Sequence, residues 1–303
     1  MSVCVIGSLN LDIICRVADL PKPGETVAGH SVQQLAGGKG ANQAAASARA
    51  GAATVMVGAV GQDDAGRAML DALDGVGVDT AYVVQLPDAT TGQAFVWVSA
   101  AGENSIVVAL GANMTLAPKH VTAASLEGHA VYLAQLECPV ATVEAAFSLP
   151  ATRRGIRILN AAPAEIEGRR LFPLTDILIV NETELAKFAG LPTVPELADD
   201  IAANARTLIT RDGQTVIVTL GKDGAMAVQA DEHFSVPGRP AKVVDTTGAG
   251  DCFCGVLAAR LSEGAPLREA MTWANAAAAL STQRSGAVPA MPSRAEIEAA
   301  LSA

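Results

Sequence analysis

Aromatic side chains are scarce in this chain: phenylalanine, tryptophan and tyrosine make up 3% of its 303 residues. Basic residues are outnumbered, 21 against 31 acidic ones, for a net charge of −10. A nucleic-acid footprint needs a basic face, so no nucleic-acid partner is expected. The deficit does not exclude a small phosphorylated ligand, which a few local donors and a metal can hold. Long apolar runs are missing too. No window reaches the ~18–20 uninterrupted apolar residues of a membrane span, so no membrane association is expected. The short apolar stretch Ser2 to Ile6 runs straight into Gly7-Ser8-Leu9-Asn10-Leu11-Asp12. It lacks the basic segment and long apolar core of a secretory leader, and a cytoplasmic protein is expected. Cysteine is sparse and scattered: Cys4, Cys15, Cys138, Cys252 and Cys254. Cys252 and Cys254 are not at a zinc spacing and no second pair exists, so buried reduced thiols are expected rather than a metal site or a disulfide framework. There is no internal repeat and no low-complexity linker.

What is present is half hydrophobic, dominated by alanine and valine, which suits helices packed on a parallel sheet. The length fits about two domains or one large α/β domain. Val3 to Gly7 and Thr54 to Val60 read as buried strands, and Asp64 to Val76 as a helix. Two early pairs, Ile13–Val17 with Glu25–Leu35 and Gln93–Val98 with Ser105–Leu110, read as hairpins that make a small accessory sheet. From Val131 onward, strands at Val131–Leu136, Ile156–Leu159, Ile177–Val180 and Val216–Leu220 alternate with helical patterns. The alternation predicts an α/β fold with a doubly wound, mostly parallel sheet flanked by helices. Ligands of such folds bind at the carboxyl ends of the strands. Polar residues recur there: Asn10 and Asp12, Glu137, Asn160, Asn181 with Glu182 and Glu184, Gly221, and the run Asp245 to Asp251.

That last run is the most informative. In Val244-Asp245-Thr246-Thr247-Gly248-Ala249-Gly250-Asp251, a strand around Val243 and Val244 is predicted to enter a tight turn, and Phe253, Val256, Leu257 and Leu261 mark the following helix. The small residues let backbone N–H groups approach an anion, and the helix start adds unpaired N–H groups and partial positive charge. A carboxylate beside an anion hole suits a base that takes a proton from a hydroxyl attacking a phosphoryl group. Taken alone, the run reads equally well as a glycine turn with Asp251 as a helix cap. Gly37-Gly38-Lys39-Gly40-Ala41-Asn42 opens an alanine-rich helix in a similar way. Its spacing fits neither the Gly-x-x-x-x-Gly-Lys-Ser/Thr loop nor the dinucleotide Gly-x-Gly-x-x-Gly fingerprint.

The chain resembles the PfkB-type carbohydrate kinases, the ribokinase family, from about Val3 to about Pro292. The resemblance rests on Gly37-Gly38-Lys39-Gly40-Ala41-Asn42-Gln43-Ala44 and on Asp245 to Asp251, in order and far apart. It is supported by Gly7 to Asp12, Gly102-Glu103-Asn104, Gly111-Ala112-Asn113, Gln135-Leu136-Glu137, Asn181-Glu182-Thr183-Glu184 and Thr219-Leu220-Gly221.

The resemblance implies ATP-dependent phosphorylation of D-ribose at its 5-hydroxyl, giving D-ribose 5-phosphate and ADP. It makes Asp251 the catalytic base, with Gly248, Ala249 and Gly250 forming the anion hole beside it. Asn10, Asp12, Gly38, Lys39, Asn42 and Glu137 become sugar contacts, and Asn181, Thr219, Gly221, Gly248, Gly250 and Asn275 nucleotide contacts. Mg²⁺ is assigned to Asn181 and Glu184, mostly through water. K⁺ is assigned to a loop of Asp245, Thr247, Ser281, Arg284 and Gly286. Residues 1–11, 36–90 and 111–303 would form the central kinase domain, and 12–35 with 91–110 a β lid through which two copies make a homodimer. The rival readings are a sister kinase acting on another sugar or a nucleoside, and a catalytically silent sugar-binding regulator. The intact Gly-Ala-Gly-Asp speaks against the regulator.

Overall fold

Val3 and Val5 face one way along the first strand, Cys4 and Ile6 the other, and all four are buried. A strand covered on both faces must lie inside a layered α/β structure. The computed structural model, which describes residues 2–302, has this form. Its strands are β1 (Ser2–Ile6), β2 (Asn10–Val17), β3 (Gly29–Gly37), β4 (Ala53–Gly61), β5 (Val78–Leu86), β6 (Gly92–Val98), β7 (Asn104–Ala109), β8 (Val131–Ala134), β9 (Ile156–Asn160), β10 (Ile177–Asn181), β11 (Thr215–Thr219), β12 (Gly224–Val228) and β13 (His233–Pro237). The helices are α1 (Lys39–Arg49), α2 (Asp64–Asp74), α3 (Ala123–Leu126), α4 (Val140–Ser148), α5 (Glu182–Ala189), α6 (Ala198–Arg206), α7 (Ala249–Ser262), α8 (Leu267–Ser281) and α9 (Arg294–Ser302).

The main sheet has nine strands in the order β13-β12-β11-β10-β9-β8-β1-β4-β5. All neighbours are parallel except at one end, where β12 runs antiparallel to both β11 and β13. Alternate strand residues serve two separate cores. Val5, Leu133, Ile158, Ile179 and Ile217 pack with α1, α7 and α8, while Ile6, Tyr132, Leu159, Val180 and Val218 pack with α4, α5 and α6. Alanine dominates the inner faces of α1 and α8, so these helices lie close to the sheet. Gly255 lets α7 approach α1 closely, since a Cβ there would fall 2.4 Å from the Gln43 carbonyl oxygen of α1.

The accessory sheet has four strands in the order β3-β2-β6-β7. Each expected hairpin forms, and the two join through a parallel β2–β6 pairing. Asn10 and Asp12, expected past the carboxyl end of the first strand, lie within β2.

The expected strand at Val243 and Val244 does not form. Both residues are β-branched, which favours extended chain, but no strand pairs with them and both are exposed. The backbone N–H groups of Val244 and Asp245 instead donate to the Thr282 carbonyl at the end of α8. Among the described residues, no helix is long and apolar enough to cross a membrane. All five cysteines are free, and four are buried. Burial pushes the Cys138 and Cys252 thiols up to about 12, as inert core residues require.

Candidate functional site

The carboxyl ends of β1, β8, β9, β10 and β11 converge on the starts of α1 and α7. Gly248 precedes α7 in the left-handed region, with φ of 74°, which glycine adopts without strain. Asp251 follows in the first helical turn and is buried. Each of its carboxylate oxygens accepts one amide N–H from α1. Asn42 Nδ2 donates to Oδ2 and Gln43 Nε2 to Oδ1, both at 2.9 Å.

The Ala249 N–H closes the turn onto the Thr246 carbonyl. Those of Gly250 and Asp251 have no backbone partner among the described residues, as the first turn of a helix dictates. A Cβ built on Gly250 meets nothing within 4 Å. The fold therefore leaves open space in front of these donors.

That space is a cavity of about 220 Å³ lined by Lys39, Asn181, Glu184, Thr219, Gly248, Ala249, Gly250 and Asp251, among others. Lys39 is the first residue of α1. The negative charge of Asp251, with that of Glu137 and Glu184, raises its pKa against the opposing effect of burial. Asn181 and Glu184 form a reciprocal cap at the start of α5. Asn181 Oδ1 accepts from the Glu184 N–H and Glu184 Oε2 from the Asn181 N–H, each at 2.8 Å. The cap leaves the second oxygen of Glu184 uncommitted, and burial pushes its carboxyl pKa up.

A second cavity, about 780 Å³, shares Thr219, Thr246, Ala249 and Gly250 with the first. Gly221, Lys222, Arg239, Phe253, Asn275 and Ala278 help line it. Asn275 is buried in α8 and donates to the carbonyls of Val236 and Pro237, which anchors the end of β13 from which the wall segment 238–241 departs.

Asn10, Asp12, Gly38, Asn42 and Glu137 line neither of these cavities. They gather beside Asp251, which Asn42 bonds directly, and the negative charges of Glu137 and Asp251 both act on Asp12. Glu137 Oε2 accepts from Ser8 Oγ at 2.6 Å and from the Lys39 N–H at 3.1 Å. Asn10 Oδ1 accepts from Asn113 Nδ2 at 2.8 Å. Asp12 occupies room left by Gly37, whose Cβ would fall 2.2 Å from Asp12 Oδ2. Burial, together with the negative charge of Glu137 and Asp251, raises the Asp12 carboxyl pKa to about 7. Asn42 Oδ1 is buried and has no partner among the described residues.

Asp245, Thr247, Ser281, Arg284 and Gly286 come together on the flank of α7. Asp245 accepts from the N–H groups of Thr247 and Gly286, each at 2.9 Å, which ties the two loops together and holds its carboxyl pKa below the usual range despite burial. Ser281 Oγ turns back onto the Ala278 carbonyl, and Arg284 pairs with Glu296. Among the described residues, no group of three His, Cys, Asp or Glu side chains is placed to hold a metal ion.

The sequence reading quoted Gln43, Gln135, Ser8 and Asn113 within motifs but gave none of them a role. Gln43 directly follows Asn42 on a helix that ends at the site, which was the available signal.

Fold and site together define a small-molecule phosphotransferase. Its helix start with open N–H groups and its buried carboxylate lie between one cavity roomy enough for a nucleotide and a cluster of polar side chains. The profile of the pfkB family carbohydrate kinases matches residues 1–294, and the chain belongs to that family. It is 37% identical over 300 residues to a ribokinase of Haemophilus influenzae, covering 97% of this chain and 96% of that one. It is 40% identical to a bifunctional ribokinase/ribose-5-phosphate isomerase A of Fructilactobacillus sanfranciscensis, covering 97% of this chain and spanning 55% of the length of that longer relative. The solved structure of Arabidopsis thaliana ribokinase complexed with ribose and ATP superposes with a TM-score of 0.89 at 35% identity, covering 99% of this chain and 98% of that one.

Proposed function

We propose that the protein phosphorylates D-ribose at its 5-hydroxyl, with ATP as donor. The observation that carries this is the position of Asp251. It has an acceptor cluster on one side and N–H groups facing open cavity on the other. Asn10, Asp12, Gly38, Lys39, Asn42 and Glu137 hold the sugar. A vicinal diol needs paired acceptors, which ionised Asp12 supplies, and the partnerless Asn42 Oδ1 is the kind of buried acceptor a hydroxyl satisfies. Asp251 takes the proton of the primary hydroxyl as its oxygen attacks the terminal phosphorus of ATP. The first-turn N–H groups and Lys39 meet the charge of the migrating phosphoryl group, so catalysis is chiefly positioning and charge neutralisation.

The nucleotide spans both cavities, with Thr219, Gly221, Gly250 and Asn275 in contact in the larger one and Asn181 and Gly248 meeting its phosphates in the smaller one. Mg²⁺ keeps most of its water and prefers oxygen donors. The uncommitted oxygen of Glu184, with Asn181 beside it in the reciprocal cap, would hold such an ion through water, and the ion would supply charge neutralisation to the phosphates. A K⁺ ion fits the tied loops of Asp245, Thr247, Ser281, Arg284 and Gly286 through backbone carbonyls. The four-stranded sheet acts as a lid, residues 12–35 and 91–110, over a central domain of 1–11, 36–90 and 111–303. Its edge strands expose Val32, Ile106, Val107 and Val108, which supports a homodimer through the lid. The free, buried thiols are in keeping with the cytoplasm.

The test is ADP release with D-ribose, 2-deoxyribose, fructose and adenosine, with Mg²⁺ and with or without K⁺. Preference for ribose, raised by K⁺, is the expected result. Turnover of another acceptor with little on ribose overturns the substrate.

A further inference from the structure

Behind Asp251 runs a line of buried amides. Gln43 Nε2 donates to Asp251 Oδ1 at 2.9 Å and to Asn160 Oδ1 at 3.0 Å. Gln43 Oε1 accepts from Gln135 Nε2 at 2.6 Å. Both glutamines are fully buried. Gln135 reaches this position because residue 7 is glycine: a Cβ there would fall 1.9 Å from Gln135 Oε1. A glutamine amide donates at one end and accepts at the other, so its direction follows from its partners. The oxygens of Asp251 and Asn160 call for the N–H end of Gln43, and the N–H of Gln135 fills the Gln43 oxygen and holds the amide in that direction, while Gln135 Oε1 has no partner among the described residues. With Asn42 on the other oxygen, the plane of the Asp251 carboxylate is fixed, and each oxygen keeps lone-pair capacity for an incoming hydroxyl.

We infer that Gln43, oriented by Gln135, is a positioning residue for Asp251, holding the carboxylate in line for the sugar hydroxyl. This rests on the phosphotransfer reading above. Core packing alone would also bury two glutamines, but it would not require them to act as a series. If they act in series, Gln135 influences the reaction only through Gln43.

The test is a double-mutant cycle on the full chain with Gln43→Met and Gln135→Met, which keep side-chain length and remove the polar ends. Three quantities are read: kcat and KM for ribose, the melting temperature, and the Asp251 rotamer in crystals of each variant. The expected result is a loss in kcat of about 10- to 100-fold for Gln43→Met, the scale of a hydrogen bond to a charged group, with KM for ribose little changed. Gln135→Met loses less, with the same split, and adds nothing to kcat in the Gln43→Met background. Asp251 leaves its rotamer in Gln43→Met. Additive losses in kcat, or losses that follow the fall in melting temperature with Asp251 unmoved, overturn the inference. If the wild-type protein phosphorylates no sugar, the phosphotransfer reading falls. The Asp251 rotamer still decides whether Gln43 positions it, and an unmoved carboxylate in both variants contradicts that.

Discussion

Two carboxylates a few residues of fold apart have been given opposite surroundings. Asp251 sits between two amide donors, while Asp12 sits beside two other acids and little that favours its charge. An acid whose folded-state pKa is raised binds its proton more tightly when folded than when unfolded. Its stabilising contribution is therefore fully present below about pH 4 and is lost as pH rises to about 7. Asp12→Asn removes that titration. Thermal melts should show the variant level with wild type near pH 4 and more stable at pH 8, by roughly 1–4 kcal/mol. A gap that does not widen with pH would mean that Asp12 is not held in this state. On the proposed function the ionised form accepts the sugar hydroxyls, so this residue would sacrifice stability for binding at neutral pH. Asp12 and Asp251 were both legible in the sequence, since each stands inside a motif. Gln43 and Gln135 were not given roles, because an amide's function here depends on which partner faces each end, and only the packed structure supplies that.

At the scale of the element, helix α7 carries a conflict that identifies its role. Glycine is a poor helix former, and a Cβ on Gly250 would meet nothing, so the fold gives no reason to keep it. The cavity does, because a methyl group there stands between an anion and the first-turn N–H groups. Gly250→Ala should leave the melting temperature unchanged or raise it, with helix propensity adding up to about 1 kcal/mol. It should nevertheless lower kcat/KM with ATP, by as much as about a hundredfold if the phosphates are displaced by an ångström. Steady-state kinetics beside a melting curve check both halves, and unchanged kinetics would remove the anion hole from this helix start. The period-2 and helical patterns made most elements readable. The strand at Val243 and Val244 was misread because β-branched residues report local preference, whereas a strand also needs a partner. Strands β12 and β13 and the edge strand β5 went unread. In β12, Gly-Ala-Met-Ala-Val has only one β-branched residue, and its burial comes from the sheet and helices around it.

Across the whole molecule, one rigid sheet edge gathers the chemistry, and a second small sheet carries Asn10 and Asp12 toward it on β2. On the proposed reading, movement of that sheet would change the sugar contacts while leaving the nucleotide cavity in place, as expected of a lid that excludes water during transfer. Its exposed edge strands make the proposed homodimer testable by charge. Sedimentation of Val107→Lys should give a monomer where the wild type gives a dimer, and a wild-type monomer would remove the lid interface from the account. The central claim is that Asp251 deprotonates the 5-hydroxyl of ribose for attack on ATP. The measurement that bears on it most directly is the rate of ribose 5-phosphate formation, with the phosphate position read by NMR, for wild type and Asp251→Asn. The account predicts 5-phosphorylation by wild type and a loss of about 10²–10⁴ in kcat for the variant, with ribose still bound. An Asp251→Asn enzyme that keeps its rate, or a wild type that phosphorylates another hydroxyl, would contradict it.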